Sequence, residues 1–156
     1  MKTYLYGTVI NQKTMHNKLV KEKEVYYDGG GSLNSPEKVH HLMTEVFELD
    51  RKAEEYLYMI ALNTKCKPIG IFEISHGTVN ASLVSPREIY IRALLTGASF
   101  IFIIHNHPSK DCSASAEDIR VTKKIKEAGE LVGIRLIDHV IIGGRRFNSL
   151  KEKGII

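Results

Sequence analysis

The run Tyr56-Leu57-Tyr58-Met59-Ile60-Ala61-Leu62 contains no polar residue at any position. A strand built from it presents apolar side chains on both faces, so its sheet must be covered on both sides. At seven residues it is the longest wholly apolar run in the chain, far short of the ~20 needed to cross a bilayer as a helix. No helical membrane span is expected.

Around this run, strand and helix signals alternate. Tyr4 to Ile10 and Glu24 to Tyr27 are β-branched and aromatic runs separated by a basic polar stretch, Asn11 to Lys23, and read as a loosely attached hairpin or arm. Gly29, Gly30 and Gly31 interrupt regular structure, and Ser35-Pro36 is a cap followed by proline at the first helical position. Val39, Leu42, Met43, Val46 and Phe47 keep the three-and-four spacing of a buried helical stripe to about Asp50, with His40 and His41 off it in solvent. After the apolar run, Asn63 to Pro68 is a turn and Ile69 to Ile74 the returning strand. His76-Gly77-Thr78 is a second turn, followed by a short extended piece around Val79 to Leu83.

Ser85-Pro86 repeats the cap-plus-proline signal, opening a helix with Tyr90, Ala93 and Leu94 inward that ends near Gly97. Phe100 to Ile104 reads as a buried strand. Ser115 to Val132 reads as a helix with Ile119, Ile125, Ala128 and Val132 inward, stopped by Gly133. Ile134 to Ile142 and Arg146 to Ser149 complete the strands across a Gly143-Gly144 turn. The pattern predicts one α/β unit, a mixed sheet flanked by helices.

A chain of 156 residues, 43% hydrophobic and 26% charged, suits one ordinary soluble domain with a continuous core. Cys66 and Cys112 are the only cysteines, too few for a disulfide framework. The start lacks the apolar stretch and cleavage site of a secretory signal, so a cytoplasmic location is expected. The net charge of +4 permits nucleic-acid contact without requiring it.

The densest chemistry is His105-Asn106-His107-Pro108, followed by Ser115-Ala116-Glu117-Asp118. Histidines two apart at a strand end project to one side. Asp118 lies in the first turn of the next helix, where the helix field favours a carboxylate that can face back toward the strand end. Taken alone, Ser115 and Asp118 read as a helix cap, and either histidine as an ordinary polar residue. Together, two imidazoles and one carboxylate suit a catalytic zinc whose fourth position is kept for water. Cys112 is a weaker candidate for closing such a site. The zinc deaminase alternative lacks its Cys-x-x-Cys pair.

The stretch His105 to Asp118 resembles the JAMM (MPN-type) metalloprotease motif, H-x-H-P with a later S-x-x-D. More closely, Ser85-Pro86-Arg87-Glu88, His105-Asn106-His107-Pro108-Ser109 and Asp138-His139-Val140-Ile141-Ile142-Gly143 resemble, in order, three blocks of the bacterial RadC-like family, over about residues 50 to 154. The resemblance implies a JAMM fold, with a mixed sheet flanked by helices in a three-layer arrangement similar to that of cytidine deaminases. It implies a domain over residues 35 to 156, preceded by the N-terminal β arm or hairpin of residues 1 to 34, and Zn2+ held by His105, His107 and Asp118. The family's upstream glutamate falls on Glu55, with Glu54 adjacent. The chain departs from the family where Lys110 replaces the usual glycine after H-N-H-P-S and Ala114 the usual proline. The helix-hairpin-helix region of full-length RadC proteins is not evident in residues 1 to 35, which weakens the expectation of DNA binding.

The expected function is a zinc-dependent metallopeptidase or isopeptidase, with an activated water as nucleophile, Glu55 as its base and Ser115 as donor to the oxyanion. Its partner is then a peptide or protein substrate. Asn106 is expected to support the site from behind, and Glu73 and Glu88 are alternative bases. The competing expectation is a non-proteolytic, zinc-stabilised binding module associated with DNA metabolism. For that module, Arg120, Lys123, Lys124 and Lys126 would form a basic helical face.

Overall fold

The computed structural model describes residues 1–77 and 84–156. The extended piece expected around Val79 to Leu83 therefore lies outside the described residues. Elsewhere the chain runs β1 (Lys2–Ile10), β2 (Asn17–Tyr26), α1 (Pro36–Glu45), a 3-10 turn (Leu49–Arg51), β3 (Glu55–Leu62), β4 (Pro68–Gly77), α2 (Pro86–Thr96), β5 (Phe100–Asn106), α3 (Ala116–Val132), β6 (Arg135–Gly143) and β7 (Arg146–Ser149).

The strands form one mixed sheet in the order β2-β1-β4-β3-β5-β6-β7. β3 lies inside it, antiparallel to β4 and β5, while β5 and β6 run parallel. The apolar run is buried on both faces, as its composition requires. Tyr58, Ile60 and Leu62 pack with Val39, Leu42 and Met43 of α1 on one face, and Leu57, Met59 and Ala61 with α2 and α3 on the other. Three layers result. Truncating a fully buried residue such as Ile60 to alanine costs on the order of 2–5 kcal/mol, because the packed surroundings cannot close the cavity.

Several local expectations give way to tertiary packing. β2 starts at Asn17, not Glu24, because at the sheet edge it does not need an apolar pattern; its lysines 18, 21 and 23 suit an unpaired edge. The hairpin joins the main sheet through β1, where Leu5 lies opposite Ile71 of β4. α1 stops at Glu45, and the chain turns at Glu48 (φ 49°) before the 3-10 turn buries Leu49. His40 is half-buried against Phe147, ring centroids 4.9 Å apart, whereas His41 is exposed. Leu94 and Val132 are 58% and 42% exposed rather than inward. The buried stripe of α3 is instead Asp118, Val121, Thr122, Ile125 and Gly129; it includes two polar residues, which hydrophobic periodicity cannot see.

Candidate metal centre

Alternation along β5 decides which side chains meet α3. Ile101 and Ile103 belong to the core beneath α2 and α3, Phe102 and Ile104 to the core beneath α1. By the same parity His105 faces α3 and Asn106 faces away. The His107 backbone N–H donates to the Ile142 carbonyl at 2.8 Å, carrying the strand's hold one residue beyond β5, and Pro108 follows.

From α3, Asp118 reaches back to both histidines. Its Oδ1 lies 3.3 Å from His105 Nε2 and its Oδ2 3.6 Å from His107 Nε2. The two Nε2 atoms are 2.9 Å apart, and one ligand atom from each residue falls within 4.8 Å of the others. Ser115 is both cap and clamp. Its hydroxyl accepts from the Asp118 N–H, while its own N–H and hydroxyl approach Asp118 Oδ2 at 2.7 and 2.6 Å. Cap and ligand are thus one arrangement, and the cap orients the carboxylate.

Burial and the Asp118 carboxylate pull the two histidines in opposite directions. Burial pushes His105 down to about 4, partly offset by Asp118. A hydrogen bond that the Asp118 carboxylate would accept from the protonated ring raises His107. Burial works to raise Asp118, but His107, His105 and Ser115 together hold it well below the usual carboxylate range. His107 Nδ1 lies 2.7 Å from the Asp111 carbonyl, which can only accept. Neutral His107 therefore donates there and leaves Nε2 bare toward the cluster. Nitrogen and carboxylate donors converging in this way fit a metal ion. His105, His107 and Asp118 can hold it; Cys112 is not in this group, and its carbonyl accepts from Asn148 Nδ2 at 3.0 Å.

A cavity of about 420 Å³ opens over the cluster, with Glu55, Leu57, Val84, Ser109, Ser115, Glu117 and Val121 on its walls. Leu57 pairs with His105, so continuing the antiparallel register brings Glu55 toward His107. Burial raises the Glu55 carboxyl, with His107 opposing and Asp118 reinforcing. Glu54 is exposed. Asn106 clamps this corner from the opposite face, accepting from the Tyr56 N–H at 2.8 Å and donating to the Glu54 carbonyl at 3.0 Å. Glu73 is engaged with Tyr58 and His76, Glu88 with Arg87 and Arg92; neither lines the cavity.

The model of the RadC-like JAB domain matches residues 33–155. The chain belongs to this family. A UPF0758 protein of Alkaliphilus metalliredigens is 46% identical over 124 residues, which are 80% of this chain and 53% of that protein. UPF0758 proteins of Clostridium kluyveri and Caldanaerobacter subterraneus subsp. tengcongensis are 45% and 47% identical, over 88% and 79% of this chain and 60% and 52% of their own lengths. The chain spans little more than half the length of the curated relatives it matches.

Within this JAB domain the loop after His107 keeps a backbone shape that glycine would adopt freely. Lys110 has φ 65°, in the left-handed region at the position where the family resemblance places glycine. Gly143 makes room for that loop. A Cβ there would sit 2.6 Å from Cys112 N and 2.7 Å from Lys110 O.

Two polar residues beside the candidate ligands were not assigned a role by the sequence. His139 Nε2 lies 2.7 Å from His105 Nδ1, and His139 Nδ1 lies 2.6 Å from Thr122 Oγ1. Both residues are fully buried. The Asp138-His139 block and a threonine four residues after the candidate ligand Asp118 are the signals that could have found them. Asp138 itself accepts from the Ser149 hydroxyl and from the N–H groups of His139 and Lys151, anchoring the C-terminal turn rather than entering the cavity.

Proposed function

We propose that this JAB domain is a zinc-dependent metallopeptidase or isopeptidase acting on an amide bond of a peptide or protein. The observation that carries this reading is the convergence of His105, His107 and Asp118 at an open cavity that Glu55 also lines. Three protein ligands would leave the fourth zinc position open, as in catalytic rather than closed structural sites. When bound, zinc supplies a Lewis acid that polarises the substrate carbonyl and makes water a better nucleophile at neutral pH.

The remaining steps belong to the chain's own groups. Glu55, raised by burial, accepts a proton from the attacking water as its oxygen bonds to the carbonyl carbon. It returns that proton to the amine nitrogen as the C–N bond breaks. Ser115 is the proposed donor to the carbonyl oxygen; its hydroxyl now donates to Asp118 Oδ2 and must turn to serve the substrate. Leu57, Val84 and Val121 are among the residues that line the cavity, apolar surface suited to an aliphatic neighbour of the cleaved bond.

The test is zinc content and hydrolysis measured on the same preparations, using quenched peptide and lysine-isopeptide libraries. About one zinc per chain, with cleavage that Glu55→Gln abolishes while zinc stays bound, is expected. One zinc per chain without cleavage of any library member would instead favour the non-proteolytic binding module. Of the basic face expected on α3 for that module, Arg120 is bound to Glu117 through two contacts of 2.8 and 2.6 Å, while Lys123 and Lys124 are exposed.

A further inference from the structure

The hydrogen-bond chain behind His105 has a direction, and that direction starts at a group with no choice. The Asp118 backbone carbonyl can only accept. Thr122 Oγ1 lies within hydrogen-bond distance of it, so the single hydroxyl hydrogen of Thr122 is committed there. Toward His139 Nδ1, 2.6 Å away, the threonine oxygen can therefore only accept, and His139 carries its hydrogen on Nδ1. A neutral His139 then has a bare Nε2. That atom lies 2.7 Å from His105 Nδ1, so His105 in turn carries its hydrogen on Nδ1. Its own Nε2 is left bare, facing His107 Nε2 and Asp118.

We infer that His139 and Thr122 are positioning residues that fix His105 in the tautomer and ring orientation needed to ligate a metal through Nε2. The inference rests on the metal reading given above and assigns the relay to residues outside the ligand set. The arrangement starts and ends on one residue, since the backbone carbonyl of Asp118 orders the chain that presents His105 to the Asp118 carboxylate. His107 is fixed separately, by the Asp111 carbonyl. The two ligand imidazoles are thus oriented by different parts of the fold, one by a helix and an inner strand, the other by a surface loop. Thr122 and His139 are fully buried and His105 nearly so, so the links of the relay are made between protein groups in a low-dielectric setting.

The test reads tautomers and affinity rather than activity. In metal-free full-length protein above neutral pH, long-range 1H–15N correlations are expected to show His105 and His139 both protonated on Nδ1. Finding the Nε2–H form of His105 in the wild type overturns the proposal without any variant. By competition with a chromophoric chelator, Thr122→Val and His139→Leu are expected to weaken zinc binding by about 10- to 100-fold. Thr122→Ser, and His139→Gln whose side-chain oxygen can still accept from His105, should recover much of the loss. Folded Thr122→Val and His139→Leu proteins that bind zinc within about two-fold of wild type also overturn it. A wild type that takes up no zinc overturns the underlying metal reading instead, and the tautomer measurement still decides the relay.

Discussion

His107 and Asp111 are joined across a loop, imidazole Nδ1 to backbone carbonyl at 2.7 Å, so the aim of one metal-ligand candidate depends on the path of an exposed segment. That path is held by Gly143, whose missing side chain leaves room for the Lys110 carbonyl and the Cys112 N–H. Gly143→Ala must push backbone rather than a flexible side chain. It is expected to weaken metal binding by at least an order of magnitude, while circular dichroism shows the sheet intact. Unchanged metal affinity in the folded variant would show that the loop carbonyl does not orient His107.

Lys110 offers the opposite experiment. A lysine at φ 65° is strained by roughly 1 kcal/mol relative to glycine, although glycine also loses more freedom on folding. Lys110→Gly is expected to raise stability by up to about 1 kcal/mol in urea unfolding and to leave metal affinity unchanged. A loss of stability would mean that the lysine side chain itself contributes to holding the loop.

The ligand and the proposed base should separate by readout. Asp118→Asn is expected to weaken metal binding, because it removes a charged donor beside both histidines. Glu55→Gln should leave binding near wild type and abolish hydrolysis, since it changes only proton transfer. If metal content falls in Glu55→Gln and survives in Asp118→Asn, the two roles are exchanged. An activity that Glu55→Gln retains turns attention to Glu54→Gln, assayed beside it.

Ser115→Ala removes an N-cap and a contact to Asp118 together. A stability loss of about 1 kcal/mol is expected from the cap. Loss of one oxyanion donor costs on the order of 10² to 10³ in rate, which leaves this variant more active than Glu55→Gln. Equal activity of Ser115→Ala and wild type would remove the serine from the proposed chemistry.

Metal-free protein should also report the buried imidazoles through pH. Burial lowers His105 to about 4 and His139 well below the ordinary 6.5, so between these limits the unfolded chain binds more protons than the folded one. Their contribution to stability is complete above about pH 6.5 and declines as the pH falls toward 4. His107, raised by Asp118, contributes in the opposite direction, its stabilisation fading as the pH climbs through its folded value. Replacing His139 with glutamine is expected to flatten the acid-side decline in urea unfolding. An unaltered slope would show that His139 is not a buried neutral group.

Much of this was legible in the sequence because two signals are local. The uninterrupted apolar run demanded a doubly covered strand, and β3 is that strand. His105, His107 and Asp118 were readable because strand parity and a helix start fix their directions within a few residues of each. What escaped depends on distant partners. β2 carries little apolar pattern because it is an edge. Leu94 and Val132 fit a helical period but are exposed, the buried stripes running instead through Ile89, Tyr90 and Ala93 of α2 and Asp118, Val121, Thr122, Ile125 and Gly129 of α3. Thr122 and His139 are 17 residues apart and acquire meaning only when α3 lies across β6.

The grip of Asn106 on the backbone of Glu54 and Tyr56 reaches across 52 and 50 positions of the chain. A strand displaced by one residue sends every side chain to the opposite face, and such a slip of β3 would bury Tyr56 beside the histidines and turn Glu55 toward α1. The amide of Asn106 has one donor edge and one acceptor edge, and they match a carbonyl and an N–H only when β3 is correctly aligned. A residue that never enters the cavity thereby acts as a proofreader of alignment, ensuring that a fully paired sheet is also one whose glutamate faces the candidate metal ligands.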